Sequence, residues 1–150
     1  MNMRQAVESD LAALAPCAEA FYASSAKLHD FELGRFVGLW KVLISNGSGA
    51  VFVVEKDGAL VGAIGGMVHP EPYSKGTIAQ EMFWFVQPFA RGGGVLLYRA
   101  FETWAKTKKA TELRMGYLVD LMPEKVAHFY ERVGFERVEV GYSKRLLCAG

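Results

Sequence analysis

Apolar positions along this chain switch repeatedly between two spacings, and the switches mark out its elements. Leu11, Leu14, Ala15, Ala18, Phe21 and Tyr22 follow helical spacing, with Ser9 or Asp10 placed to cap the first turn. Pro16 removes one hydrogen bond from that helix and is expected to kink it. Before it, Met3 to Val7 reads as a short strand. From Glu32 to Ser45 a second helix presents Phe36, Trp40, Leu43 and Ile44, and Asn46-Gly47 supplies a stop. The pattern then becomes β-rich. Val51 to Val54 and Leu60 to Ile64 flank Asp57-Gly58, a pair suited to the positive φ values of a tight hairpin. Gly62, Gly65 and Gly66 weaken the second of these strands and point to a bulge or a close backbone approach.

His69 to Tyr73 reads as a loop, and Thr77 to Val86 as a long strand carrying Phe83, Trp84 and Phe85. Pro88 ends it, Arg91-Gly92-Gly93-Gly94 turns, and an amphipathic helix follows. Its inner face is Leu97, Ala100, Phe101, Trp104 and Ala105, and Arg99, Glu102, Thr103 and Lys106 face outward. Glu112 to Val119 is expected to be a strand. Pro123 opens a fourth helix that buries Val126, Tyr130 and Val133 and stops at Gly134. Val138 to Leu147 alternates as a final strand. Strands and helices interleaved in this way predict a mixed α/β domain spanning residues 1–150.

Composition narrows the function classes. With 17 basic and 16 acidic residues the net charge is +1, without the basic excess of a nucleic-acid binder. Lys106, Lys108 and Lys109 fall at a helix C-terminus, where cations suit the dipole. No apolar run reaches the ~20 residues that span a bilayer, and the N-terminus lacks a signal-like apolar stretch. Cys17 and Cys148 provide neither a disulfide framework nor a zinc spacing. His29, His69 and His128 show no metal spacing. The expectation is a cytoplasmic protein without a metal, a membrane anchor or a nucleic-acid partner.

The chemistry concentrates at the glycine-rich turn. The first turn of a helix offers amides with no intrahelical partner and the positive end of the dipole, which together suit an anion. Glycines keep β-carbons out of a phosphate's way, and Arg91 adds a forked cation. Three glycines also suit a merely mobile turn, and local chemistry alone leaves the two readings even. Neither a P-loop nor a Gly-x-Gly-x-x-Gly fingerprint is present, since Leu97 stands where the third glycine would fall.

The segment from Val86 to Leu97 resembles the acetyl-CoA motif of the GNAT N-acyltransferases, Gln/Arg-x-x-Gly-x-Gly/Ala, with Arg91 and Gly94 matching and Leu96 departing from a small residue. His128 to Phe135 resembles the family's Phe-Tyr-x-x-x-Gly-Phe signature, and the hairpin at Asp57-Gly58 is a third similarity. The Arg-Gly-Gly-Gly turn and Glu139-x-x-Tyr142-x-Lys144 also look like compact phage-encoded members. The resemblance implies a central, mostly antiparallel sheet whose fourth and fifth strands splay apart, with about four flanking helices. It implies acetyl-CoA as cosubstrate and direct transfer to a primary amine of a small molecule or peptide. A non-catalytic acyl-CoA-binding or interaction protein on the same fold is the alternative, and a homodimer is common among relatives.

By the same resemblance, Phe85, Val86 and Arg91 through Leu96 (Gly92, Gly93, Gly94 and Val95 between them) would contact the cofactor. Tyr130 would be the general acid, although its helical position equally suits a core tyrosine. Glu81 would be a carboxylate base; alternation puts it on the face of Phe83 and Phe85, where apolar surroundings would raise its proton affinity. It could equally be an ordinary solvated glutamate. Pro123 stands where relatives often carry a pantetheine-binding Asn. His69, Glu71, Tyr73, Phe36 and Trp40 are the candidates for the acceptor side.

Overall fold

The computed structural model of the chain describes residues 1–146. Strand β1 (Asn2–Gln5) passes through a 3-10 turn, Glu8–Asp10, into helices α1 (Leu11–Ala23) and α2 (Leu33–Ser45). A meander follows, β2 (Gly49–Lys56), β3 (Ala59–Pro70) and β4 (Thr77–Val86). The chain then forms α3 (Gly93–Thr107), β5 (Glu112–Arg114) and α4 (Pro123–Arg132). All five strands lie in chain order in one sheet, antiparallel up to β4, with β5 parallel to β4. The mixed, mostly antiparallel sheet with four helices matches the expected class.

Local chemistry accounts for the elements. Helix α2 buries Phe36, Trp40 and Leu43, one stripe at helical spacing. It starts one residue later than expected because Glu32 serves as its cap, its carboxylate accepting from Gly34 N (3.1 Å) and Arg35 N (2.6 Å). Helix α1 carries Pro16 inside it and buries Leu11, Leu14 and Ala18. Asp10 accepts from Arg4 at 2.7 and 2.8 Å and from Val7 N at 2.8 Å, and Arg4 also reaches Glu55, so β1, α1 and β2 are tied at one corner. The β2–β3 hairpin turns at Asp57 (φ 52°) and Gly58 (φ 81°), both positive as a two-residue loop of this type requires.

The sheet separates two apolar layers. On one face α1 and α2 pack Leu14, Ala18, Trp40 and Leu43 against Val51, Val53, Ala63 and Phe83. On the other, α3 packs Leu97 and Phe101 against Val54, Val61 and Ile64. Trp40 and Phe101 are wholly buried, and truncating either to alanine would cost about 3–5 kcal/mol.

Three expectations fail toward the C-terminus. The fifth strand is only Glu112–Arg114 and does not reach Val119. The last pair of its ladder is Gln80 with Arg114; two residues later the Gly116 N–H meets the Glu81 side chain instead of a β4 carbonyl. Residues 138–146 form no strand, and Val138, Val140, Tyr142 and Leu146 are exposed. A strand requires a ladder partner, and alternation alone does not supply one. Leu147 and Cys148 lie outside the described residues. In α4 only Tyr130 is buried, while Val133 is exposed. The helix is braced instead by Phe129, whose ring meets Tyr98 edge-on at 5.3 Å.

Candidate active site

Gly92 opens α3 in the left-handed region, at φ 86° and ψ −18°, which explains a glycine at that position. Gly93 N donates to Ala90 O and Leu96 N to Gly92 O. The amides of Gly94 and Val95 between them have no partner among the described residues, as expected at a helix N-terminus. Arg91 is exposed beside them. Leu96 packs against the α3-side core and does not stand free over the turn.

The turn lies against β4. A β-carbon on Gly93 would sit 3.3 Å from Val86 Cγ1, and one on Gly94 3.4 Å from the Trp84 indole. Gln87 N donates to Val61 O (2.8 Å), which fixes the alternation of this strand. The main-chain groups of Phe85 therefore point into the β3 ladder, and those of Val86 and Trp84 toward the opposite edge. That edge is open, because β5 pairs with β4 only over Ile78 to Gln80. Val86 is thus available for a main-chain contact, and Phe85 is not. Trp84 itself packs near Phe129 and Tyr130, and its buried indole N–H has no acceptor among the described residues.

At the other end of this edge, Glu81 and Tyr130 hold the same residue. Tyr130 donates its hydroxyl proton to Gly116 O (2.6 Å), and Gly116 N approaches Glu81 Oε2 at 3.4 Å. Glu81 does not share the face of Phe83 and Phe85. Gly65 pairs with Phe83 and Gly66 with Glu81, so Met82 is an extra, bulged residue. Gly65 faces the Phe83 ring, whereas Gly66 faces Phe101 of α3, and the bulge turns Glu81 to that second face.

Protein atoms crowd the Glu81 carboxyl although part of its side chain reaches solvent. Burial raises its pKa to about 7, partly countered by the Gly116 N–H. Tyr130 is buried, and desolvation together with the Glu81 charge raises its pKa, which keeps it a neutral donor. Tyr98 is raised to about 12 by burial and its hydrogen bond to Glu102.

The acceptor-side candidates divide. Trp40 is core, stacked on Phe83 with ring centroids 5.8 Å apart. Tyr73 projects into solvent, Glu71 accepts from Tyr73 N, and His69 Nδ1 meets Pro70 O. Phe36 alone of the five lines an open cleft of about 220 Å³ between α1, α2 and β4, together with Tyr22, Phe31, Phe83 and Phe85. Sequence reasoning missed Gly116, Trp84, Tyr22 and Phe31. A glycine breaking the β-rich run after Arg114 was the available signal for Gly116. Among the described residues no cluster of His, Cys, Asp or Glu is placed to hold a metal, and no helix is long and apolar enough to cross a membrane.

The model of the acetyltransferase (GNAT) family matches residues 14–135. No curated protein matches by sequence. Among solved structures, the chain is similar to a ribosomal-protein-alanine N-acetyltransferase from Brucella melitensis biovar Abortus 2308, at 20% identity and TM-score 0.70, covering 97% of this chain and 100% of that one. It is similar to the aminoglycoside 6'-N-acetyltransferase AAC(6')-IG from Acinetobacter haemolyticus at 21% identity and TM-score 0.71, covering 97% and 99%. It also resembles AAC(6')-Iy, solved with the bisubstrate analogue CoA-S-monomethyl-acetylneamine, at 17% identity and TM-score 0.75, covering 98% of each chain. At these identities the structures establish the shared fold.

Proposed function

The chain belongs to the acetyltransferase (GNAT) family, and from that premise we propose that it transfers an acetyl group from acetyl-CoA to a primary amine by direct attack, with both substrates bound. The observation that carries this reading is the open edge of β4. Unpartnered amides of Gly94 and Val95 lie at one end of it, and Glu81 and Tyr130 converge on Gly116 at the other. The bisubstrate complex of AAC(6')-Iy supports the reaction class.

The residues divide the work by position. Gly94 and Val95 N–H groups, with Arg91 beside them, suit a diphosphate. The outward N–H and C=O of Val86 suit an extended amide-bearing arm running along β4 as an added strand. When bound, acetyl-CoA supplies the activated acyl thioester. An alkyl ammonium has a pKa of ~10.4 and no free lone pair, so it must first lose a proton. Glu81, with its pKa near 7, takes that proton directly or through water. The amine nitrogen then bonds the acyl carbon as the carbon–sulfur bond breaks, and the nitrogen gives up its second proton to water. Tyr130 gives its hydroxyl proton to the departing thiolate and is reprotonated from solvent. For this it must release Gly116 O, its present acceptor.

The test is thiol release from acetyl-CoA, followed with and without a panel of primary amines. Release that depends on one amine, with the N-acetyl product found by mass spectrometry, is the expected result. CoA binding by calorimetry with no release against any amine would make the chain a non-catalytic acyl-CoA binder.

A further inference from the structure

Resting on the acetyltransferase reading, the geometry points to an acceptor class: a small monoamine with a flat apolar body, not a polycationic aminoglycoside. The cleft between α1, α2 and β4 is lined on its apolar side by Tyr22, Phe31, Phe36, Leu39, Phe83 and Phe85. The rings form one connected set. Tyr22 meets Phe31 at 5.5 Å, Phe31 meets Phe36 at 5.5 Å, and Phe83 lies 6.1 Å from Phe36 and 6.0 Å from Phe85. A planar apolar group laid there gains both burial and ring contacts.

Charge and size set the class. The charged groups lining the cleft are Asp30, Glu32 and Arg35, a formal sum of −1. Both Glu32 oxygens already accept amides of α2. Asp30 makes no ion pair or side-chain hydrogen bond among the described residues, which leaves one free carboxylate to draw a single ammonium into the cleft before that nitrogen moves on to Glu81. Several ammonium groups on an aminoglycoside would find only this one free carboxylate, with Arg35 opposing them. The cleft, at about 220 Å³, also falls below the ~300–1,000 Å³ of pockets for drug-sized ligands, which suits one ring on a short arm. Phe83 and Phe85 stand on the part of β4 that extends past its last β5 partner. Glu81 faces the other side of the sheet, so transfer requires the amine to reach over this open edge.

The experiment compares 2-phenylethylamine with kanamycin as acceptors, alongside calorimetric binding of each, in wild type, Phe31→Ala and Asp30→Asn. Phe31 is half-buried on a loop and Asp30 is exposed, and unchanged circular dichroism and CoA affinity would certify both variants as folded. We expect 2-phenylethylamine to be preferred in kcat/KM. Phe31→Ala should raise its KM about tenfold, and Asp30→Asn about threefold at low salt with no effect at high salt. Preference for kanamycin, or 2-phenylethylamine binding indifferent to Phe31, overturns the inference and leaves the enzyme reading intact. Phe31-dependent binding without any acetyl transfer upholds the cleft's specificity and overturns the enzyme reading instead.

Discussion

The two ends of the open β4 edge use different parts of the polypeptide. At the α3 end the chemistry is main-chain: two amides with no partner among the described residues, aligned by a left-handed Gly92 and crowded by Val86 and Trp84. At the β5 end it is side-chain: a carboxylate and a phenol, both leaning on Gly116. Amides do not titrate, and most side chains at the nest are replaceable as long as no β-carbon intrudes. The Glu81–Tyr130 end depends on two particular functional groups and on their desolvation. Binding should therefore fail at one end and chemistry at the other.

Variants can break this division. The largest effect expected is on turnover in Tyr130→Phe: kcat should fall about 100-fold, as for loss of a general acid, with CoA affinity within twofold. Equal turnover would remove Tyr130 from the mechanism. Next, Gly92→Val places a β-branched residue at a φ of 86°; strain and obstruction should weaken CoA binding about 30-fold by calorimetry, with kcat at saturation nearly unchanged. A fall in kcat without loss of affinity would contradict the division.

Glu81→Gln should lower kcat about tenfold at pH 8 and erase a rise in rate centred near pH 7. The same variant separates stability from catalysis. The Glu81 pKa is about 7 in the fold against 4.5 ordinarily, so its protonated form is favoured by folding. Its contribution to stability is full below pH 4.5, falls as pH rises to 7, and is level above. The melting temperature of wild type relative to Glu81→Gln should follow that course. A difference independent of pH would mean that the carboxyl is not desolvated.

Much of this edge could be read from the chain before folding. Helix α3, strand β4 and the glycine turn are local patterns, and their bounds fall close to the expected ones. Tyr130 belongs to a short signature that a single helix, α4, carries whole up to its stop. What was hidden depends on partners distant in sequence. Alternation assigned Glu81 to the wrong face because the Met82 bulge exists only in the pairing with Gly65 and Gly66. The stretch from Val138 reads as a strand by its spacing, yet no ladder receives it within residues 138–146. Phe31 sits in a loop whose irregular sequence carries no period, so its place over the cleft emerges only when α1 and α2 converge on β4.

The proposed function stands or falls with the first turn of α3 gripping the diphosphate of CoA. A crystal structure with CoA bound tests it most directly. Diphosphate oxygens are expected at about 2.7–3.2 Å from the nitrogens of Gly94 and Val95. A diphosphate seated elsewhere, with those two amides left to water, would contradict it.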